Sequence, residues 1–456
     1  MLIKKVNTSL NSFEIFTLFK DKKHTFFLDS GMDHDSLGKY SFIGFEPFLV
    51  FKSKEDKIDI TENGKTSTFY GNPLDKLQEV LSKYNMDYKS ELPFLGGGVG
   101  YFSYDLYHHI EKLPRTAIDD IKIPDCFFGF YDGVIIIDHR QNDVYVASLG
   151  IKDTKEKVVN NIIEKIKKGE EENKKINLKK GNNIIDLKSN FKKEDYLKAI
   201  NKIKDYIKAG DIYQANMTQR FECDIEDSPF ELFNKLRNIN PAPFAGFIDF
   251  GEGSIVSSSP ERFIEIKDNL IQTRPIKGTR PRGKNPKEDK KNREDLLSSE
   301  KDKAELLMIV DLERNDLGKI SKVGTVKVPE LFKLEEYSTV YHLVSTVTGE
   351  IKDEYDSIDC IKATFPGGSI TGAPKIRAME IIDELEPTQR NVYTGSIGYI
   401  GFNGYMDLNI AIRTILCKDK KAYFQVGGAI VWDSDAEMEY EETLHKAKAL
   451  IEALKY

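Results

Sequence analysis

The sequence predicts an α/β protein of the α+β kind, and three observations predict it. Runs such as FFLDS (26–30), KYSFIGFEPFLVF (39–51) and FGFYDGVIIIDHRQNDVYVASL (128–149) concentrate β-branched and aromatic residues between turn residues, as strands do. Stretches with helical periodicity stand apart from them and carry start and stop signals. No apolar run approaches the roughly 18 to 20 residues a membrane span needs.

Taken in order, residues 1–150 read as a β-rich N-terminal domain with brief helices such as LDKLQEVLSKY. Residues 151–188 read as a helix that dissolves into a Lys/Glu/Asn linker with little to bury. Residues 189–456 read as a second domain, opened by Ser189 or Asn190 capping YLKAINKIKDYIKAG, with Gly210 placed to end that helix. GGVGY at 97–101 recurs approximately as GSIGY at 395–399, which marks either two related β layers or a chance repeat of glycines. GGGVG is not a dinucleotide fingerprint, because no amphipathic helix follows it.

Composition narrows the function. A net charge of −7 argues against nucleic acid as a general partner. Cys126, Cys223, Cys360 and Cys417 are far apart with no C-x-x-C, so reduced thiols are expected rather than a disulfide framework or a zinc site. The N-terminus lacks the apolar region of a signal peptide, and a cytoplasmic, non-membrane protein is expected.

Four constellations can carry chemistry. ERFIEI, KDN and LIQTRPIK form a hairpin; a three-residue turn at Lys267–Asn269 sets Ile266 opposite Leu270, making Glu261 and Lys277 diagonal neighbours. They are either a cross-strand ion pair or an acid facing an amine that Arg274, Arg280 and Arg282 help keep neutral. In SSEKDKAELLMIVDLERNDLG, capped by Ser299 and ended by Gly318, Asp302 and Glu305 share a face; in EMEYEETLHKA, Glu439, Glu442 and Lys446 do the same. These are solvated helix faces, or four acids offered to Mg²⁺ if the helices meet. FPGGSITGAPKIRAMEII runs from a glycine-rich loop into a helix, where free N–H groups and the Ser369 or Thr371 hydroxyls suit a carboxylate; it lacks the ending of a P-loop. Arg413, in the alternating strand LNIAIRTIL, can point an ion-pairing fork inward.

SPERF, PIKGTRPRG, EKDKAELLMIVDLERNDLG, FPGGSITGAPKIRAMEII and EETLHKA occur in the order seen in the chorismate-utilising enzymes, and over about residues 190–455 the chain resembles that family, most closely its aminodeoxychorismate synthase branch. The resemblance implies large antiparallel sheets forming a sandwich core with helices packed outside, and a Mg²⁺-dependent chorismate site. It implies Glu305 and Glu442 as direct metal ligands, Asp302 and Glu439 at outer positions, Glu261 as general acid and His342 near the ring. Tyr393, Arg413 and Lys446 match positions that hold substrate carboxylates, with Gln214, Thr279, Thr371, Gly372, Gly428 and Ala429 also lining the substrate. Ala429 departs from a glycine, and its methyl needs room.

Two positions sort the family. Lys277 stands where anthranilate and isochorismate synthases resemble PIAGT or PLAGT, and Gln214 replaces the lysine that resembles a water-activating base. The implied reaction converts chorismate and ammonia to 4-amino-4-deoxychorismate, on the route to 4-aminobenzoate and folate, with Lys277 as covalent nucleophile. No glutaminase turn is present in the sequence, so ammonia is expected from a glutamine amidotransferase partner. Anthranilate synthase component I is the alternative. FLDS lies where the family can place a regulatory effector pocket.

Overall fold

Strand-forming runs from both halves of the chain pair into two antiparallel sheets that stack face to face. The computed structural model describes residues 1–32, 37–172, 185–337 and 340–455. Among these, each sheet has twelve strands. One runs 2–6, 143–148, 133–138, 40–44, 26–29, 244–249, 254–259, 414–418, 421–430, 214–224 and 188–189, with 372–373 beside 214–224. The other runs 276–281, 340–350, 270–273, 262–267, 406–410, 396–401, 97–102, 126–131, 49–54, 57–62 and 65–70, with 327–336 flanking 340–350.

Between the sheets, Phe26, Phe42, Ile136, Ile248 and Leu416 of the first pack on Val50, Val99, Tyr101, Phe127, Ile397 and Tyr399 of the second. Each such side chain contributes about 1.5–3 kcal/mol on burial. Helices 12–17, 155–171, 229–239 and 436–455 cover the outer face of the first sheet; helices 73–83, 300–320 and 357–364 cover the second. Sheets covered on both faces explain why strands such as 97–102 and 396–401 are buried throughout, with no alternation to read. The sandwich expected from the resemblance is present. No helix among the described residues is long and apolar enough to cross a membrane.

Several expectations are corrected. The breaks at 150 and 189 do not divide the sheets: Phe27 pairs with Phe247 in one, and Tyr101 with Ile397 in the other. Pairing over that range leaves no local trace. GGVGY and GSIGY are not separate layers but adjacent strands of one sheet, with Gly100 opposite Gly398. A Cβ on either would lie about 2 Å from a backbone oxygen (1.8 Å from Phe127, 2.0 Å from Asp407), so close strand approach demands both glycines. Ser189 and Asn190 do not cap the Lys193–Ala209 helix, whose N-cap is Lys192; they bind Gln219, Arg220 and Thr388 instead. Gly210, at φ 85°, does end it. Gly318 does not end the Glu300–Ile320 helix, which Ser299 caps as expected. The helix of the 151–188 segment is Lys155–Glu171, while 173–184 of the charged linker lie outside the described residues.

Candidate functional site

Lys277 owes its position to a β-bulge. Ile276 pairs with Val344 and Thr279 with His342, so Lys277 and Gly278 together oppose one residue of the Val340–Glu350 strand. Gly278 takes φ +78°, and a Cβ there would sit 2.8 Å from Leu296 and 2.9 Å from Asp302. The hairpin before it turns through two residues rather than three: Asp268 and Asn269 have φ 49° and 63°, and Lys267 pairs with Leu270. Two consecutive left-handed residues make the tighter turn that twists with its strands. The shift brings Glu261 to Ile276, whose N–H donates to its Oε1 at 3.4 Å.

Glu261 is 5% exposed. Burial raises its carboxyl to about 7, against the pull of the Ser369 hydroxyl and Lys277. Lys277 is lowered, first by withdrawal from water and then by Lys446, while Glu305, Glu261 and Glu442 oppose the change. The three arginines expected to depress it do not act on it. Arg274 pairs with Glu335, Arg280 with Asp295 and Asp302, and Arg282 with Asp289. Their charge is spent on neighbouring acids, which sequence proximity could not reveal.

The two acidic helices do meet. Glu305 is raised by burial and then further by Asp302 and Glu442, against Lys277 and Lys301. Burial also raises Glu439, whose Oε1 accepts the Ser434 hydroxyl at 2.6 Å. Burial pushes Glu442 up as well, but Lys446 at 2.6 Å outweighs it and holds the carboxyl down. Gly428 forms the floor beneath: its Cβ position lies 3.1 Å from Glu439 and 3.8 Å from both Glu442 and Lys446. Both acids of the Glu300–Ile320 helix face a cation here, Glu305 with Lys301 at 3.9 Å and Asp302 with Arg280 at 3.0 Å. Among the described residues no three acids converge as a ready metal cluster. The donor set, oxygen only, with Glu305 and Glu439 raised by burial and then by neighbouring acids, still fits a hard divalent cation that displaces the lysines.

Around these groups stand the other residues read from the sequence. Gln214 is fully buried with neither end of its amide hydrogen-bonded. Thr279 bonds His342 Nδ1 at 2.9 Å, and burial lowers that imidazole to about 4. Burial raises the Tyr393 phenol to about 12 and lowers Arg413, and each charge acts on the other group. Arg413 donates to the Lys446 carbonyl. It is not within a strand: LNIAIRTIL breaks after Ile410, and the chain crosses from one sheet to the other before Thr414, with Arg413 at φ 52°. Ala429 lies opposite Asn216, and Gly372 opposite Ala215. A Cβ on Gly372 would lie 2.2 Å from the Gln214 oxygen. Of the hydroxyls of the glycine-rich loop, that of Ser369 acts on the Glu261 carboxyl, and that of Thr371 donates to the Gly367 oxygen at 3.0 Å.

Sequence reasoning missed Lys301, whose charge acts on Glu305, Glu439 and Glu442 together. It also missed Glu386 and Arg390, an i, i+4 pair under the site, signalled only by spacing in ELEPTQRN. FLDS borders a cavity of about 220 Å³ lined by Asp29 and Ser30 together with Arg262, Tyr399 and Asp407. That cavity lies between the sheets, not within an N-terminal unit, and holds none of the residues grouped around Lys277.

Two stacked antiparallel sheets with this grouping of acids, lysines and buried polar groups define a chorismate-binding enzyme: residues 23–452 match the chorismate binding enzyme family, and the chain belongs to it. It is 40% identical over 453 residues to anthranilate synthase component 1 of Acetivibrio thermocellus, covering 96% of this chain and 92% of that protein. It is also 40% identical over 430 residues to aminodeoxychorismate synthase component 1 of Escherichia coli K12, covering 94% and 92%. The crystal structure of anthranilate synthase component I from Streptococcus pneumoniae TIGR4 superposes with a TM-score of 0.80 at 35% identity, covering 90% and 91%. The menaquinone-specific isochorismate synthase of E. coli shares the fold, with a TM-score of 0.75 at 16% identity.

Proposed function

We propose that this chain aminates chorismate at C4, as an aminodeoxychorismate synthase component I. The observation that carries the reading is a lysine, Lys277, set on a bulge in the acidic cleft with its proton affinity lowered, next to a buried carboxyl that is half protonated near pH 7. An amine that is uncharged for part of the time is a nucleophile, and a carboxyl that retains its proton is an acid. The Lys277 nitrogen bonds to C2 of chorismate, both ring double bonds shift (C1=C2 and C5=C6 become C1=C6 and C4=C5), and the C4 hydroxyl departs as water with the proton of Glu261. Ammonia then bonds to C4, both double bonds shift back, the C2–nitrogen bond breaks to release Lys277, and a proton from the incoming ammonia returns to Glu261. Chorismate and ammonia give 4-amino-4-deoxychorismate and water.

Tyr393, Arg413 and Lys446 are suited to holding carboxylates, and His342, kept neutral, to packing near the ring. Gln214 offers an amide but no basic nitrogen, so it does not generate hydroxide. Glu305 and Glu442, with Asp302 and Glu439 behind them, would hold Mg²⁺. When bound, the ion supplies positive charge to a substrate carboxylate. A glutamine amidotransferase partner supplies ammonia, in keeping with the relatives' designation as component 1.

Amination at C2 with loss of pyruvate, the anthranilate synthase reaction, is the second reading, because relatives of that name are equally similar. Purified protein with chorismate, ammonium and Mg²⁺ separates the two. A product that an added lyase converts to 4-aminobenzoate supports C4 amination; fluorescent anthranilate instead overturns it.

A further inference from the structure

The chemistry above assigns no task to the buried acid Glu313. Glu313 lies on the Glu300–Ile320 helix about two turns beyond Glu305, among Ile309, Val310 and Leu317, and is 3% exposed. Burying a carboxyl among apolar side chains is costly, and a leucine would fill the place without that cost. Its Oε1 accepts the backbone N–H of Gly368 at 3.1 Å. The next residue along the loop, Ser369, has its hydroxyl near Glu261, where it pulls that carboxyl's proton affinity down. Two buried carboxyls therefore grip adjoining residues of one short turn, Gly368–Ile370.

The loop has no slack at this point. A Cβ on Gly368 would lie 2.6 Å from Leu312 and 3.1 Å from Glu313 Oε1, so the helix presses directly on the backbone. Lys375 holds the oxygens of Thr364 at 2.9 Å and Pro366 at 2.8 Å, and Asn216 holds the oxygen of Ser369 at 2.9 Å. Those contacts hold carbonyls before and after Gly368, and Glu313 holds its N–H. The charged groups facing Glu313 are Lys375 from the Lys375–Leu385 helix, Asp316 from its own and Glu261 across the loop. Asp316 is itself paired with Lys375 and Lys319. Burial raises Glu313 to about 7, helped by Asp316 and Glu261 and opposed by Lys375.

We propose that Glu313 is a positioning residue for the general acid, fixing through Gly368 the loop from which Ser369 reaches Glu261. The inference rests on the reading of Glu261 as that acid. Glu313 touches no reacting atom; it acts through the loop and through its own charge.

The test compares E313Q, E313L and E261Q in the full-length protein, measuring chorismate consumption with ammonium and Mg²⁺ across pH, together with Tm. E313Q keeps an acceptor for Gly368 but loses the ionisable neighbour, so its KM for chorismate stays near the parent's. The alkaline limb of its rate profile moves down by about one pH unit, because Glu261 releases its proton more readily. E313L loses the acceptor, and its kcat falls by about tenfold or more while Tm holds or rises. A structural role alone would lower Tm and leave the limb in place. E313Q and E313L with the parent's kcat and limb overturn the inference; should E313L fail to fold, E313Q decides alone. If E261Q keeps the parent's rate, the general-acid reading fails first. If E261Q is inactive and the Glu313 variants are not, only the role of Glu313 is lost.

Discussion

Glu386 with Arg390, both buried, and buried Glu261 with half-buried Lys277 are each an acid and a base largely held from water, yet they end in opposite states. The first pair is saturated. Arg390 Nε and Nη2 donate to the two Glu386 oxygens at 2.8 and 2.7 Å and its remaining N–H groups to the Ile370 and Asn216 carbonyls, while Thr218 gives Glu386 both its N–H and its hydroxyl. Arg390 is consequently pushed above its ordinary range even though burial works against its charge. The second pair is left wanting: Glu261 has one long backbone contact and a serine, and Lys277 has no hydrogen-bond or ion-pair partner among the described residues. Saturation makes scaffold, because every charge is answered in a single geometry. Want of partners leaves proton affinities displaced toward neutrality, which is the condition for chemistry.

Breaking each pair should therefore give unlike losses. The largest effect is expected for K277A: chorismate consumption with ammonium falls by about a thousandfold or more, with Tm near the parent's. Intact-mass analysis after chorismate treatment without ammonia should show an adduct in the parent and none in K277A. Turnover without any adduct would end the nucleophile assignment. E261Q comes next, with kcat lower by about 10²–10⁴.

E261Q also carries a stability sign that can be checked by denaturant titration. The folded-state pKa of Glu261, about 7, lies above its ordinary 4.5. Its contribution is therefore fully present below pH 4.5 and is lost as pH rises through 7. Glutamine does not titrate, so E261Q should gain on the parent over that window, by on the order of 3 kcal/mol above pH 7. A gap between the two that is flat with pH would contradict the raised pKa.

R390A sharpens the other side. It should destabilise by about 3–5 kcal/mol through the charge it strands, with activity lost in proportion to the unfolded fraction. G278A should cost about 1–2 kcal/mol through its left-handed backbone and lower kcat by moving Lys277. The smallest effect belongs to K290A, which removes an exposed pair with Glu294 at 3.7 Å and should leave both Tm and kcat unchanged.

Much of this was legible in the chain. The capped helix after Ser299, the Gly210 stop and the existence of the hairpin, though not its turn length, follow from rules that act within a few residues. The resemblance carried by the motif order implies a shared site for Glu261, Lys277, Glu305 and Glu442, and the charges of the three acids do act on Lys277. What failed depended on partners far along the chain. The arginines of RPIKGTRPRG could not be known to be spent on Glu335, Asp295, Asp302 and Asp289. LNIAIRTIL alternates as one strand should, yet it spans two sheets. Lys301 reads as one more exposed helical lysine until the Ala436–Lys455 helix faces it.

By itself the sequence determined most of the strand-forming runs, some helix ends such as Ser299 and Gly210, the family and the chemical types gathered at the cleft, because each is written in short-range pattern or in a motif. Only the tertiary structure decided which charges are satisfied and which are left displaced. That balance depends on burial and on partners brought together from distant segments, and a buried amine is a scaffold ion or a nucleophile according to what reaches it.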